Sequence, residues 1–495
     1  MKVFTVAQVR AWDQFTIARQ PISSLDLMER ASVAFVDWFC AHFDNQKQIV
    51  VFCGMGNNGG DGLAIGRLLV QKEYTLKIYV VKHTDSSSPD FEANLQRLPP
   101  HTLVSFVENA TDIPALTPTD LVLDALLGSG LSRPATGIMA QTIAAINQSS
   151  ATVVAVDIAS GLFADTPNGA DEAIVRPHFT VSFQCPKLAF FQPQNADFVG
   201  DWHCIDIGLH PDFEEQTPTL YFYTDAARVA LLLKPRPKYA HKGTFGHALI
   251  IAGSYGKIGA AVLSARACLR SGVGLLTVQT ARCGYEIVQV TLPEAMIWEE
   301  NNYRINTKIP DYLGIYSAIG IGPGLGKAPE TLQMLRDLLE LWRKPAVFDA
   351  DALNLLAENP ELLSQLPPNS ILTPHPKEFQ RLLGKTWAND YEKLHFLRNF
   401  AQQYQVVVCL KGAHTAVALT NGTVHFNATG NAGMATGGSG DALTGIVTAL
   451  LAQGYDAADA AVFGVYQHGH AGDRAAAQKG QSALIASDII NCLGW

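Results

Sequence analysis

HALIIAGSYGKIGAAVLSARACLRSGVGLLTV (247–278) decides the fold. HALIIAG (247–253) is a short apolar run that ends on glycine. GSYGKIGAAVLSARACLRSGVGLLTV (253–278) continues as strand end, glycine-rich loop, helix and second strand. A strand, a loop, a helix and a strand in immediate succession predict neighbours in a mostly parallel sheet, covered by helices on both faces.

The same alternation extends in both directions. LLTVQ (275–279), SAIGIG (317–322), AVFDAD (346–351), SILTPH (370–375) and VVVCLKG (406–412) read as buried strands downstream. Upstream, IVVFC (49–53), LKIYVV (76–81), LVLDAL (121–126), TVVAVD (152–157) and FTVSF (179–183) do the same. The pattern pauses at the acidic, proline-containing LHPDFEEQTPTLYFYTD (209–225), which is the expected linker. Two three-layer α/β/α domains are therefore expected, over 1–215 and 222–495.

Bulk properties exclude several classes. The chain of 495 residues has 36 basic and 45 acidic side chains and a formal charge of −9, which argues against general affinity for nucleic acid or anionic membranes. No apolar run approaches the ~20 residues of a membrane span, and MKVFTVAQVRAWDQ lacks an apolar signal core. The eight cysteines have no zinc-like spacing and read as free thiols of a reducing cytosol. A cytoplasmic enzyme is expected.

NAGMATGGSGDALTG (431–445) carries chemistry. Leu443, Ile446, Val447, Leu450 and Leu451 give Asp441 a helix to begin, and Gly454 a helix to close. A glycine loop entering a helix N-terminus favours an anion. Asp441 would repel a phosphate beside it, so it is better suited to take a proton from a hydroxyl that attacks a phosphoryl group. Alone, the motif reads equally well as a turn with a capping aspartate. GIGPGLG (320–326), DADALNLL (349–356), TPHPKE (373–378) and LKGAHT (410–415) weigh against that, because all fall at strand carboxyl ends, where α/β sheets bind ligands. His468 and His470, two apart on a helix, share no face and are not read as ligands.

These motifs, in this order, make residues 240–490 resemble the ribokinase-like superfamily, and within it the ADP- or ATP-dependent NAD(P)H-hydrate dehydratases. The chain departs from the family pattern at Lys377 and Ala432, neither an expected reacting group. The resemblance implies phosphorylation of the ring hydroxyl of hydrated NAD(P)H, followed by loss of phosphate. It implies Asp441 as base and Gly437, Gly438, Ser439 and Gly440 as anion hole. Lys411, Gly412, Ala413, His414, Thr415 and Gly440 would contact ADP or ATP. Ala260, Gly324 and His375 would contact the hydrate. Asp349 and Asn354 would support Mg²⁺ and phosphate.

IVVFCGMGNNGGDGLAIGRLL (49–69) is strand, glycine loop, helix. Gly54, Gly56 and Gly59 satisfy GxGxxG, but Lys82 and His83 stand where a ribose-binding acid is expected, which disfavours an ordinary redox site. Asp124 and Asp157 end two further strands. Each alone reads as a turn former; with Asn58 and Ser160 they form an oxygen-only set suited to K⁺, Mg²⁺ or Ca²⁺.

NNGGDG, DALLGSGLSRP, VDIASG and FQCPK make residues 1–210 resemble the NAD(P)H-hydrate epimerases, with Ala159 replacing a proline of the family pattern. This half is then Rossmann-like. The resemblance implies K⁺ on Asn58, Asp124 and Ser160. Substrate would contact Asn57, Asn58, Gly59, Gly60 and Asp61, then Gly128, Ser129, Gly130, Leu131, Ser132, Arg133, Pro134 and Asp157. Asp157 would be the acid–base group, assisted by Lys187. The two halves together imply a bifunctional repair enzyme acting on hydrated NADH and NADPH, with no nucleic-acid or membrane partner and a homo-oligomeric assembly. The alternatives are a ribokinase-type small-molecule kinase and an N-terminal half that only binds a ligand or a protein.

Overall fold

The strand IVVFC is buried along its whole length, and its side chains feed two separate cores. Ile49, Val51 and Cys53 meet Phe35 and Phe39 on one face, while Val50 and Phe52 meet Met139 and Ile143 on the other. A pleated strand sends alternate residues to opposite faces, so a strand apolar at every position needs a helix layer on each. The computed structural model describes residues 1–494 and divides into two units. One is Lys2–Thr219 with Asn389–Tyr391; the other is Met1, Leu220–Ala388 and Glu392–Trp495.

The first unit holds β1 (Ile49–Cys53), β2 (Leu76–Val81), β3 (Leu103–Val107), β4 (Leu121–Ala125), β5 (Thr152–Val156), β6 (Phe179–Phe183) and β7 (Asp201–Ile205). Their order is β3-β2-β1-β4-β5-β6-β7, with every pair parallel. The chain reverses direction across the sheet between β1 and β4, which opens a crevice beyond their carboxyl ends. Helices α1 (Val6–Arg19), α2 (Ser24–His42), α3 (Asn57–Gln71) and α4 (Gly137–Gln148) cover the unit. At the crevice, a Cβ on Gly54 would lie 1.9 Å from the Leu126 carbonyl oxygen, and one on Gly59 would lie 1.8 Å from that of Gly54. The glycine motif is thus explained first by close packing of α3 on the sheet.

The second unit holds β8 (Tyr221–Thr224), β9 (His247–Ile251), β10 (Leu275–Thr280), β11 (Met296–Glu299), β12 (Ala318–Ile321), β13 (Ala346–Phe348), β14 (Ile371–Leu372), β15 (Val407–Leu410), β16 (Ala416–Ala418) and β17 (Val424–Asn427). Their order is β8-β17-β16-β15-β14-β13-β12-β9-β10-β11. The pairs are parallel except β15–β16 and β16–β17. Helices α5 (Ile258–Arg270), α6 (Ala350–Glu358), α7 (Pro376–Leu383), α8 (Ser439–Ala452) and α9 (Ala457–Lys479) position the motifs. α5 and α8 approach so closely that a Cβ on Gly445 would lie 2.0 Å from the Ser264 carbonyl oxygen.

The expected linker is not a linker throughout. Pro211–Gln216 is helical, and Tyr221–Thr224 is β8, parallel to β17. The acidic, proline-containing context masked YFYT, whose aromatic and β-branched residues favour a strand. Gly454 (φ +80°) directly follows the Gln453 cap of α8, as expected of a helix-closing glycine.

Candidate active sites

In the first unit the crevice is a cavity of about 720 Å³. Asn57 and Asn58 bring the start of α3 to it, where the first amides have no intrahelical partner and attract an anion. Asp61, Gly128, Ser129, Gly130, Leu131, Asp157 and Lys187 line it as well. Gly59 and Gly60 face packing instead, against Gly54 and Met28. Ser132, Arg133 and Pro134 continue the loop outside the lining.

Asp157 directly follows β5 with φ +66°, a conformation rarely held by a residue other than glycine. Its amide donates to the Val181 carbonyl (2.8 Å), and its Oδ1 accepts from the Phe183 amide (3.1 Å) and faces Lys187 Nζ at 2.7 Å. Lys187 is buried and also donates to Ser182 Oγ (2.9 Å). Burial is the largest influence and opposes its charge, but the charge and hydrogen bond of Asp157, with Cys185 and Cys204, together hold the ammonium above its ordinary range.

Behind this pair lies an oxygen cluster. Asp124, fully buried, accepts from the Ser160 hydroxyl (2.5 Å) and amide (2.8 Å) and from the Leu126 amide (3.3 Å). Burial raises its carboxyl to about 6 against those hydrogen bonds. Asn58 packs against Gly128, and its buried side-chain nitrogen has no partner among the described residues. A buried carboxylate with no cationic neighbour, beside amide, hydroxyl and carbonyl oxygens, suits a weakly polarising cation such as K⁺.

Sequence reading missed one wall of this cavity. Helix α1 contributes Arg10, Asp13 and Gln14. The guanidinium of Arg10 lies against Gly130, where an added Cβ would come within 2.1 Å of it. Polar and apolar residues do not segregate on α1, so no periodicity marks its functional side.

In the second unit Gly438 (φ +88°) caps α8, and Ser439, Gly440 and Asp441 form its first turn. A Cβ on Gly437 would meet nothing within 4 Å, so the backbone there is open to a ligand. Asp441 is largely buried; burial first, then Asp349 and Asp351, push its carboxyl up to about 6 against the pull of Lys411. Lys411 Nζ lies 3.0 Å from Asp349 Oδ1 and 3.9 Å from Glu378 Oε2, while Thr444 Oγ1 donates to Asp349 Oδ2 (2.8 Å). Both oxygens of Asp349 are therefore occupied. Asn354 donates to Asp351 Oδ1 (3.3 Å), and Asp351 also holds the Gly326 amide (2.8 Å). Asp349 is engaged through both oxygens, whereas Asn354 uses only its amide nitrogen and keeps its side-chain oxygen free of hydrogen bonds to the described residues.

His375 caps α7: its Nδ1 accepts from the amides of Lys377 (3.1 Å) and Glu378 (3.3 Å). Its proton is therefore on Nε2. Burial lowers its affinity for a second proton, partly offset by Glu378. Gly324 (φ +61°) lies against Ala260, which an added Cβ would meet at 3.0 Å, and both precede or begin elements at the same end of the sheet. The 412–415 loop is closed by mutual hydrogen bonds of Gly412 and Thr415, and His414 Nδ1 lies 3.0 Å from the Asn427 carbonyl oxygen. Ala413 completes that loop. His468, not expected as a ligand, is half-buried with Nε2 3.3 Å from Ser439 Oγ, and desolvation depresses it to about 4. Asp351, Glu378, Thr444 and His468 are polar residues of this site that motif reading did not assign.

Two family profiles match the chain: NAD(P)H-hydrate dehydratase over residues 248–493, and YjeF-related protein N-terminus over residues 24–189. The bifunctional NAD(P)H-hydrate repair enzyme Nnr of Moorella thermoacetica is 37% identical, with 100% of this chain and 96% of that protein aligned. The corresponding protein of Escherichia coli K12 is 35% identical over 94% of this chain and 88% of that one. A ribokinase-like superfamily protein from Enterococcus faecalis V583 superposes with a TM-score of 0.50 at 27% identity, covering 56% of this chain and 95% of that chain.

Proposed function

The chain belongs to the bifunctional NAD(P)H-hydrate repair enzymes, which unite an epimerase and a dehydratase, and on that premise we infer how its residues divide the work. The carboxylate of Asp441 removes the proton from the ring hydroxyl of the S hydrate as that oxygen takes a phosphoryl group from ADP or ATP. The glycine-capped start of α8, Gly437 to Gly440, holds the transferred phosphoryl group through backbone amides. Lys411, fixed between Asp349 and Glu378, sets the local positive potential against the nucleotide at 411–415. The hydrate lies toward Ala260, Gly324 and His375, whose Nε2–H is a fixed donor. Phosphate then leaves with the ring nitrogen's electron pair pushing, which gives an iminium cation, and loss of a proton from the neighbouring ring carbon to water or the departing phosphate restores the double bond. Hydroxide is a poor leaving group and phosphate a good one, so the donor is consumed to exchange them.

The observation that carries this reading is a carboxyl raised to about 6 on the first turn of a glycine-capped helix, beside but not bonded to the Lys411–Asp349 pair. A general base works best when its proton affinity lies near the working pH. Mg²⁺, where the nucleotide brings it, would be held chiefly by phosphate oxygens.

The first unit epimerises the hydrate, with Asp157 as an acid–base group oriented by Lys187. Asn58, Asp124 and Ser160 would hold K⁺, which when bound supplies positive potential beside the start of α3. The dinucleotide phosphates meet that helix start and the 128–134 loop. No described helix is long and apolar enough to cross a membrane, and all eight cysteines are free, which suits a reducing cytosol.

The test is to supply hydrated NADH with ADP or ATP and to follow NADH absorbance and free phosphate together. Recovery of NADH with one phosphate released per NADH is expected. A stable phosphorylated alcohol with no NADH would instead mark a small-molecule kinase.

A further inference from the structure

Helix α1 is anchored from outside the cavity it faces. Thr5 and Gln8 cap its start. The Trp12 indole donates to the His210 carbonyl (2.8 Å), and the His210 amide donates to the Thr16 hydroxyl (2.9 Å). Phe4, Trp12 and Phe213 pack beneath it. Its cavity face is thereby held rigid, and that face carries Asp13.

Two acids of the cavity, Asp13 and Asp61, differ from the others in having no hydrogen bond or ion pair with another described residue, and of the two only Asp13 stands on the α1 wall. Asp157 is committed to Lys187 and to the Phe183 amide, and Asp124 to Ser160. Asp13 forms no hydrogen bond or ion pair with another described residue, although it is partly buried in a cavity it shares with Asp157, Asp61 and Lys187. Leaving a half-buried carboxyl unpartnered costs stability, and such groups gather where a ligand completes them.

The chemistry of the substrate needs two proton-carrying groups. Hydration of an enamine puts the hydroxyl on the carbon attached to nitrogen. Inverting that carbon requires its C–O bond to break on one face and a new one to form on the other.

We propose that Asp13 is the second catalytic acid–base residue of the epimerase, donating a proton to the departing hydroxyl on one face of the ring while Asp157 accepts a proton from the water that adds on the other. This rests on the epimerase reading of the first unit. The ring nitrogen's lone pair expels the hydroxyl, which leaves as water with the Asp13 proton and gives an iminium cation. Water attacks the opposite face, and its surplus proton passes to Asp157. Nothing is oxidised or reduced. The enzyme ends with one proton moved from Asp13 to Asp157, the starting state for the reverse reaction, and exchange with bulk water resets it.

The electrostatics agree with this division. Burial, then the charge of Asp157, raise the Asp13 carboxyl to about 7 against the pull of Lys187. Around it stand Arg10 on its own helix, Asp61 on α3, His83 and Asp90 beyond β2, and Asp157 and Lys187. A carboxyl raised by burial and a second one paired with a lysine place two unlike carboxyls in one site, as an acid and base pair requires.

The experiment uses the full chain without nucleotide, so the dehydratase is silent. Exchange between the proton resonances of the R and S hydrates of NADH is measured across pH, with the uncatalysed rate subtracted. Wild type should exchange them and lose rate as pH rises above about 7. Asp13→Asn should lose about 10²- to 10⁴-fold, and its residual rate should lack that fall. Asp13→Glu should keep measurable exchange with its basic limb displaced. Each rate is divided by the folded fraction measured by circular dichroism at the same pH, so partial misfolding does not mimic these results. Asp13→Asn exchanging within threefold of wild type, or either variant keeping the wild-type limb, overturns the proposal. Wild type exchanging no faster than the uncatalysed rate overturns the epimerase reading itself.

Discussion

Both units set a lysine against a buried aspartate at the carboxyl ends of parallel strands, but each places its proposed base differently. In the first, the base is a member of the pair: Asp157 faces Lys187 at 2.7 Å. In the second, the pair is Lys411 with Asp349 at 3.0 Å, and the base, Asp441, stands beside it. The contact pairs Asp157 directly with the Lys187 ammonium. Exclusion from the contact leaves Asp441 with burial and a nearby like charge, which lift its carboxyl to about 6. One device thus gives a pinned carboxylate where water must be captured, and a carboxylate near its titration point where a hydroxyl proton must be taken.

The largest effect that would separate the two sites is Asp441→Asn. It should cut NADH recovery from the S hydrate by about 10²- to 10⁴-fold, while R–S exchange without nucleotide stays at the wild-type rate. Loss of both activities would show that the sites are not independent. The mirror variant, Asp157→Asn, should cut exchange by a similar factor and spare the S hydrate. It also strands the buried Lys187 charge, so the first unit should lose on the order of 3–5 kcal/mol in denaturant unfolding.

A smaller effect tests the stranded base by stability. A carboxyl raised in the folded state binds protons more tightly there than in the unfolded chain. Its favourable contribution is present at low pH and is lost as pH rises from the ordinary carboxylate value of 3.8 through about 6. Above that window Asp441→Asn should therefore stabilise the second unit by up to about 3 kcal/mol, and below it the gain should vanish. Thermal unfolding at pH 4 and pH 8 checks the sign. The smallest expected effect is kinetic: wild-type dehydratase activity should fall as pH drops below about 6, when Asp441 gains its proton. A limb that persists unchanged in Asp441→Glu would assign it to another group.

Sequence alone disclosed the second site better than the first, for a physical reason. The dehydratase residues sit in glycine-rich loops at strand ends, where chain geometry and chemistry coincide in short motifs. Lys411, Asp349 and Asp441 were each legible there, though the contacts that set their charge, through Glu378 and Thr444, were not. The first site draws one wall from α1, where Arg10 and Asp13 lie among apolar residues with no motif and no periodicity. The interior strands were read from their continuous apolar runs. Edge strands such as Leu103–Val107, largely exposed, offered no such run, and the aromatic strand Tyr221–Thr224 was hidden in its acidic surroundings.

The central claim is that two separate carboxylates carry two successive steps on one substrate. Its most direct test is the time course of NADH recovery from an equilibrium mixture of R and S hydrates, with ADP or ATP in excess, for wild type and Asp157→Asn. Wild type should return all the hydrate as NADH. Asp157→Asn should return the S fraction at the wild-type rate and then continue only at the uncatalysed rate of epimerisation. Complete recovery by Asp157→Asn at the wild-type rate throughout would contradict the account.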